Sequence, residues 1–143
     1  MRWLVGLLLV TLIPAWADLT AARAEPNLEK RSKLAMDNAI AVLHEAREAY
    51  LNGDSKEAAA KVGEVEESID LVYTSLMQTG KDPRRSPRWF KRAEIETRNL
   101  LRSLDSFQHD MSFDDRPMLN KTKERVQKVH DDLLTGLMEG KKK

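Results

Sequence analysis

The sequence predicts an all-α protein, an up-down-up-down antiparallel four-helix bundle behind an N-terminal signal peptide. Four stretches carry apolar residues at helical spacing, and in the second and third of them the steps alternate between three and four, as on one helix face. Each stretch has about 24 residues and would span about 36 Å as a helix. A helical-hairpin repeat is the rival architecture, but it needs helices of about half this length and a visible internal repeat. The equal lengths therefore favour the bundle.

An apolar run opens the chain. Arg2 precedes it, the run extends from Leu4 to Ile13, and Pro14 ends it. A run of this length is too short to span a bilayer and is typical of a secretory signal. Small residues that suit cleavage stand before two bonds, so we predict removal of residues 1–24 by cleavage after Ala24, with cleavage after Ala17 as the alternative. We therefore expect a secreted or periplasmic protein without a transmembrane segment in its mature chain; an uncleaved anchor is the rival interpretation.

Start and stop signals divide the remainder, residues 25–140, into helices. Asn52-Gly53 ends the first helix, and Asp54 with Glu57 three residues later has the arrangement of a capping box. Ser86-Pro87 offers an N-cap followed by proline at the first helical position. The predicted helices cover about 28–51, 55–79, 87–110 and 116–139. Residues 141–143 form a basic tail.

Each predicted helix has an inward-facing stripe. The stripes of the last three helices run from Ala58 to Leu76, from Phe90 to Met111, and from Leu119 to Leu137. The stripe predicted for the first helix consists of Met36, Ala39, Ile40, Leu43, Ala46 and Tyr50. The steps of three and four in the second and third stripes are typical of helices that pack nearly parallel to one another.

Charge is concentrated in one place. The whole chain has 24 basic and 23 acidic residues, so it is not a general nucleic-acid binder. Residues 81–92, here called the basic segment, carry six basic residues and one acidic residue. In contrast, residues 25–80 carry 6 basic and 11 acidic residues. The basic segment is therefore the one strongly cationic region outside the terminal lysines.

The basic segment has two interpretations. It could bind an anionic partner, such as an acidic protein or a cell-envelope surface, because arginine and tryptophan are enriched at interfaces. The residues predicted to make this contact are Arg84, Arg85, Arg88, Trp89, Lys91 and Arg92. Alternatively, Trp89 and Phe90 cap the core near Leu76 and Leu137, while the arginines pair with acidic residues of the first two helices.

Catalytic and metal-binding patterns are missing from the sequence. The chain has no cysteine, which excludes disulfides, thiolate metal sites and covalently attached haem. A di-iron bundle would need glutamate three residues before a histidine, and His44, His109 and His130 all lack it. We interpret these histidines as solvated surface residues. Glu64, Glu66, Glu67 and Asp70 form an acidic patch that we interpret as a solubilising surface. Since no nucleophile with a base is visible either, we expect no enzyme.

One residue pair suggests a cofactor. If the first and fourth helices are neighbours, Met36 and His130 lie at about the same height, roughly 20 Å from the Gly53 end of the bundle. A methionine facing a histidine across a secreted four-helix bundle resembles the haem ligation of the cytochrome b562 class. The resemblance covers this pair and the topology. It implies a haem- or metal-carrying bundle as the alternative to the function we expect, a non-enzymatic binding module.

Overall fold

The structure of the protein is a computed structural model that describes residues 19–140. Within this range the chain contains only helices and their connections, which confirms the predicted all-α class. The α-helices are α1 (Leu19–Ala24), α2 (Leu28–Leu51), α3 (Ser55–Gln78), α4 (Pro87–Asp110) and α5 (Asn120–Glu139), and a 3-10 helix covers Phe113–Leu119. The predicted signal peptide, apart from residues 19–24, and the basic tail 141–143 lie outside the described residues.

The helix ends follow the capping signals in part. The Asn27 side chain accepts a hydrogen bond from the backbone N–H of Lys30, and Asp54 accepts one from Glu57 in the same way. The Asp54 backbone N–H donates to Ala49 rather than to Glu57, so only half of the capping box forms. Ser86 makes no side-chain capping hydrogen bond, although proline follows it at the start of α4 as predicted.

The fourth long helix begins later than predicted. Residues 116–119 belong to the 3-10 helix, and α5 starts at Asn120. Pro117 lies inside the 3-10 helix, and its ring disfavours the α-helical conformation for the preceding residue, Arg116. The carboxylate of Asp115 also accepts hydrogen bonds from the hydroxyls of Ser112 and Tyr50. Both bonds lower the pKa of Asp115, the Ser112 bond more strongly, and the Tyr50 bond ties the segment to α2.

The first two long helices pack against each other in opposite directions. Asn38 donates to the hydroxyl of Ser68 at 2.9 Å near the middle of the pair, and Lys61 bonds Glu45 at 3.0 Å nearer the Gly53 end. Glu45 raises the pKa of Lys61, because the carboxylate accepts a hydrogen bond from the ammonium and favours its charge. The short turn at Gly53, whose φ is +83°, closes this hairpin.

The last two long helices form a second antiparallel pair. His130 bonds Glu94 at 3.0 Å towards one end, and Lys123 bonds Asp105 at 2.6 Å towards the other. As residue numbers rise along α4, the partner numbers fall along α5. The described chain therefore consists of two helical hairpins, with α1 packed against α2.

The two hairpins meet through helices that run in the same direction. Glu66 and Asp70 of α3 pair with Lys121 and Arg125 of α5, so both partners advance together. The carboxyl ends of α2 and α4 meet as well, where Arg47 pairs with Asp110 and the rings of Tyr50 and Phe107 lie 5.8 Å apart. Each helix of one hairpin thus packs beside a parallel helix of the other.

The prediction that the first and fourth helices are neighbours is therefore wrong. Helix α2 packs against α1, α3 and α4, and α5 packs against α3, α4 and the 3-10 helix. Helical spacing fixes the height of a residue, but it does not fix which helices stand side by side. The eight residues from Thr79 to Ser86 can extend about 26 Å at 3.3 Å per residue. That length allows the chain to cross the bundle before α4 begins.

The core follows the predicted stripes with one clear exception. The apolar stripe residues of α3 and α4 are buried, and Leu137 of α5 is partly buried against the core. Ile40, predicted to face inward, is 47% exposed. Ala35 and Val42 of α2 are buried instead. Ile40 consequently lies at the groove between α2 and α4.

Candidate functional site: the basic segment

The connection that begins the basic segment is a defined turn. Gly80 has a φ of +66°, a conformation that suits glycine. The Asp82 side chain accepts a hydrogen bond from the backbone N–H of Arg84 at 2.9 Å, and its carbonyl accepts from Arg85 and Ser86. These hydrogen bonds hold the backbone of Arg84 and Arg85 in place, in addition to the constraint that α4 imposes.

Gly136 of α5 and Gly140, the residue directly after α5, allow this turn to lie close to the bundle. A Cβ atom on Gly136 would stand 3.2 Å from Cγ of the buried Pro83. A Cβ atom on Gly140 would stand 3.1 Å from Cδ of Arg84. Both distances are tighter than an ordinary van der Waals contact. The C-terminal end of α5 thus positions Pro83 and, beside it, Arg84.

Most of the cations of the basic segment have no acidic partner among the residues that the structure describes. Lys81 pairs with Glu29 of α2, and Arg92 pairs with Glu96 one turn further along α4. Among residues 19–140, no carboxylate forms an ion pair with the other four cations. Those four, here called the free cations, are Arg84, Arg85, Arg88 and Lys91. Bracing against the first two helices therefore accounts for Lys81 and not for the arginines.

The aromatic residues of the segment belong to the core instead. Phe90 is 2% exposed, and Trp89 is partly buried against the same cluster. The guanidinium of Arg88 lies 5.4 Å from the centre of the Trp89 ring, within the range of a cation–π contact. The basic segment therefore combines aromatic side chains that are anchored in the core with positive charges that are exposed.

A cavity opens next to this turn. It has a volume of about 350 Å³, and Tyr73, Met77, Pro83, Phe90 and Leu133 are among the residues that line it. Gly140, which Arg84 approaches closely, lies on its wall as well. Apolar side chains and cations thus meet at the same edge of the molecule. The sequence could not predict the cavity, because its lining comes from three helices and the connection between them.

His130 and Met36, the predicted axial haem ligands, lie on α5 and α2, two helices that do not pack closely against each other. Nε2 of His130 lies 3.0 Å from a carboxylate oxygen of Glu94, and Nδ1 lies 3.3 Å from one of Asp131. Both ring nitrogens are thus within hydrogen-bond distance of carboxylates. Met36 is 1% exposed in the core, on a helix that does not pack closely against α5. The pairing rested on the first and fourth helices being neighbours, and the structure removes that premise.

The histidines differ in their exposure. His44 pairs with Glu48 at 3.3 Å as an exposed residue, and His109 bonds the carbonyl of Asp105 at 2.8 Å. The side chain of His130 is only 13% exposed, so its interpretation as a solvated surface residue is wrong. Across residues 19–140, no cluster of three or more histidine or carboxylate side chains is arranged to hold a metal ion.

Glu94 is the residue that sequence reasoning missed. It is 8% exposed, and besides His130 it contacts Arg98 at 3.3 Å. In the sequence it follows Ala93 at the flank of the α4 stripe, where a glutamate is normally solvated. Only the packing of α5 against that flank covers it. The one hint in the sequence is that His130 also lies at the flank of the apolar stripe of its helix, where it could meet a residue such as Glu94.

Most carboxylates of the acidic patch of α3 pair with basic residues at the protein surface. Three of its carboxylates face cations from α1 and α5. The pairs are Glu66 with Lys121 at 3.4 Å, Glu67 with Arg23 at 3.5 Å, and Asp70 with Arg125. Most of these side chains are partly exposed, so each pair contributes little to stability. Their positions nevertheless show which helices lie beside α3.

Comparisons with protein families, with curated proteins and with solved structures found no match to this chain. In the part of the chain that the structure describes, none of the helices combines the length and the apolar character that crossing a membrane requires.

Proposed function

We propose that this protein is an exported, non-enzymatic binding module that uses its basic segment to engage an anionic partner. The partner would be an acidic protein or a cell-envelope surface that presents carboxylates or phosphates. The four free cations carry this proposal, since no carboxylate within residues 19–140 pairs with them, whereas Glu66, Glu67 and Asp70 of α3 each have a basic neighbour.

The arrangement suits recognition better than solubility alone. Three of the four free cations are arginines, whose planar guanidinium can form two parallel hydrogen bonds with one carboxylate or phosphate. The turn at Asp82 fixes the backbone around Arg84 and Arg85, which lowers the entropy cost of binding. The cavity lined by Tyr73 and Met77 adds apolar surface at the same edge. A partner could therefore gain both charge and apolar contacts there.

The proposal also covers the arrangement of the four long helices and the location of the protein outside the cytoplasm. The four long helices would form an up-down-up-down bundle, with α2 diagonal to α5, behind a cleaved N-terminal signal. The alternating directions of α2 to α5 support the bundle, and the apolar run from Leu4 to Ile13 after Arg2 supports export. A binding role without catalysis agrees with the lack of a visible nucleophile and base in the sequence.

Poly-L-glutamate provides a defined anionic probe. Titration of the exported protein should change the fluorescence of Trp89, which is the only tryptophan after residue 17. Replacing Arg84, Arg85 and Arg88 with glutamine should weaken binding at least about 10-fold, which corresponds to about 1.4 kcal/mol. Thermal unfolding should stay within about 2 °C of the unmodified protein, because these side chains brace no acidic residue in residues 19–140.

A matched control removes equal charge elsewhere. Lys56, Arg102 and Lys121 are exposed, and they lie on α3, α4 and α5 outside the basic segment. Their replacement with glutamine should leave binding within about twofold, because exposed charges act over only about 8 Å at physiological salt. Equal losses in both triple variants would refute a specific surface. A melting temperature several degrees lower in the arginine variant alone, with binding lost only through unfolding, would favour a bracing role instead.

A further inference from the structure

The short helix α1 is part of the folded core. Leu19 is 4% exposed and Ala22 is 1% exposed, and Ala22 belongs to the same apolar cluster as the residues of α2 and α3. A helix of six residues is too short to be stable by itself in water. Its order therefore depends on packing against α2, with which it is in contact.

Polar contacts fix α1 and its connection to α2. Arg23 pairs with Glu67 of α3 at 3.5 Å. The backbone N–H of Glu25 donates to the carbonyl of Ala22 at 3.2 Å, and the carbonyl of Glu25 accepts from Nε of Arg31 at 2.8 Å. Chain cleavage before Glu25 would turn that N–H into a charged amino group and detach Leu19, Ala22 and Arg23 from the fold.

We propose that the signal is cleaved after Ala17, so that the mature chain begins at Asp18 and keeps α1. One water molecule is added across the Ala17–Asp18 peptide bond, which leaves a carboxyl group on Ala17 and an amino group on Asp18. A membrane-bound signal-processing peptidase of the exporting cell catalyses this hydrolysis. The inference rests on the proposed export. It replaces the predicted cleavage after Ala24 with the alternative site after Ala17.

The sequence around the bond suits this choice. Ala15-Trp16-Ala17 supplies small residues at the positions that such a peptidase requires, and it comes directly after the apolar run that Pro14 ends. A signal of 17 residues lies within the usual range of about 15–30. Cleavage after Ala24 would discard a helix whose apolar side chains are covered and would expose the surface of α2 beneath it.

The mass and the N-terminal sequence of the product test the site of cleavage. The full chain is expressed in an exporting bacterial host, and the protein is recovered from outside the cytoplasm. We expect an N-terminus at Asp18. An N-terminus at Glu25 would overturn this inference and leave the proposed export intact, whereas an uncut chain retained in the cytoplasm would overturn both.

Two pairs of variants separate processing from folding. Ala24→Asp should leave the N-terminus at Asp18, and Ala17→Asp should abolish that product; the opposite pattern would refute the inference. In the exported protein, Leu19→Asp should lower the melting temperature by at least about 5 °C, because it places a charge in a covered site. Ala21→Asp, at an exposed position of the same helix, should shift it by less than about 2 °C. Equal melting temperatures for both variants would show that α1 is dispensable.

Discussion

The two hairpins bury different kinds of side chain. Beside its valines and leucines, the hairpin of α2 and α3 buries many small residues, namely Ser32, Ala35, Ala39, Ala46, Ala58 and Ser68. In the hairpin of α4 and α5 the buried residues are mostly large, namely Phe90, Leu100, Leu104, Phe107, Val126 and Leu133. The helices of the first hairpin thus approach each other more closely, whereas the second hairpin buries mainly bulky side chains.

The difference shows that one spacing pattern can produce two packing modes. The distance between helix axes depends on the side chains at the contact, so small residues allow a closer approach than leucine and phenylalanine do. Each hairpin also contains a polar contact that its own packing has buried. Asn38 donates to Ser68 in the first hairpin, and Glu94 bonds His130 in the second. The same amphipathic pattern therefore predicts helices without predicting how closely they pack.

The largest expected effect is a cavity in the second hairpin. Leu104 is fully buried, so Leu104→Ala should reduce the free energy of unfolding by about 2–5 kcal/mol. Urea unfolding followed by circular dichroism measures the change. Leu134 is 39% exposed on α5, and Leu134→Ala should change stability by less than about 0.5 kcal/mol. Similar losses for both variants would show that the buried face of this hairpin is assigned wrongly.

A smaller effect is expected from breaking a glutamate–histidine pair, which the described chain contains once in a covered and once in an exposed environment. Glu94 and His130 have side chains 11% and 13% exposed, whereas Glu48 and His44 of the first hairpin are 63% and 73% exposed. Glu94→Ala should cost about 1.5–3 kcal/mol, because it removes a charged hydrogen-bond partner from a covered site. Glu48→Ala should cost less than about 0.5 kcal/mol.

Double-mutant cycles isolate the two pair energies. Each glutamate variant is combined with the alanine variant of its histidine, and all are unfolded in urea at one pH. A coupling energy for the Glu94 pair no larger than that of the Glu48 pair would contradict the buried environment that the structure gives it.

The smallest expected effect is overpacking of the first hairpin. Ala39 is completely buried, so Ala39→Leu should destabilise the protein by about 1–3 kcal/mol by forcing the helices apart. Ala59→Leu, at an exposed position of α3, should be neutral within about 0.5 kcal/mol. If both substitutions are neutral, there is space for a leucine beside Ala39. The two helices would then not be in close contact there, and the contrast between the hairpins would be refuted.

The basic segment shows how far a site can be predicted from sequence. Its charge, its proline and glycine breaks and its aromatic residues are visible in the chain, and Pro87 begins a helix as predicted. Which cations stay unpaired could not be predicted, because pairing depends on the residues that other helices bring nearby. Lys81 meets Glu29 from α2, whereas Arg85 meets no carboxylate in the described chain. The paired and the free cations look alike in the sequence.

By itself the sequence determined the helical class, the approximate helix bounds and most of the buried faces, because apolar spacing and capping residues act over a few neighbouring positions. Tertiary structure decided that α2 lies beside α4 rather than α5, that Ile40 is exposed, and that Glu94 meets His130. These outcomes depend on contacts between residues far apart in the chain. Local patterns give each helix a face and a direction, and only packing chooses its neighbours.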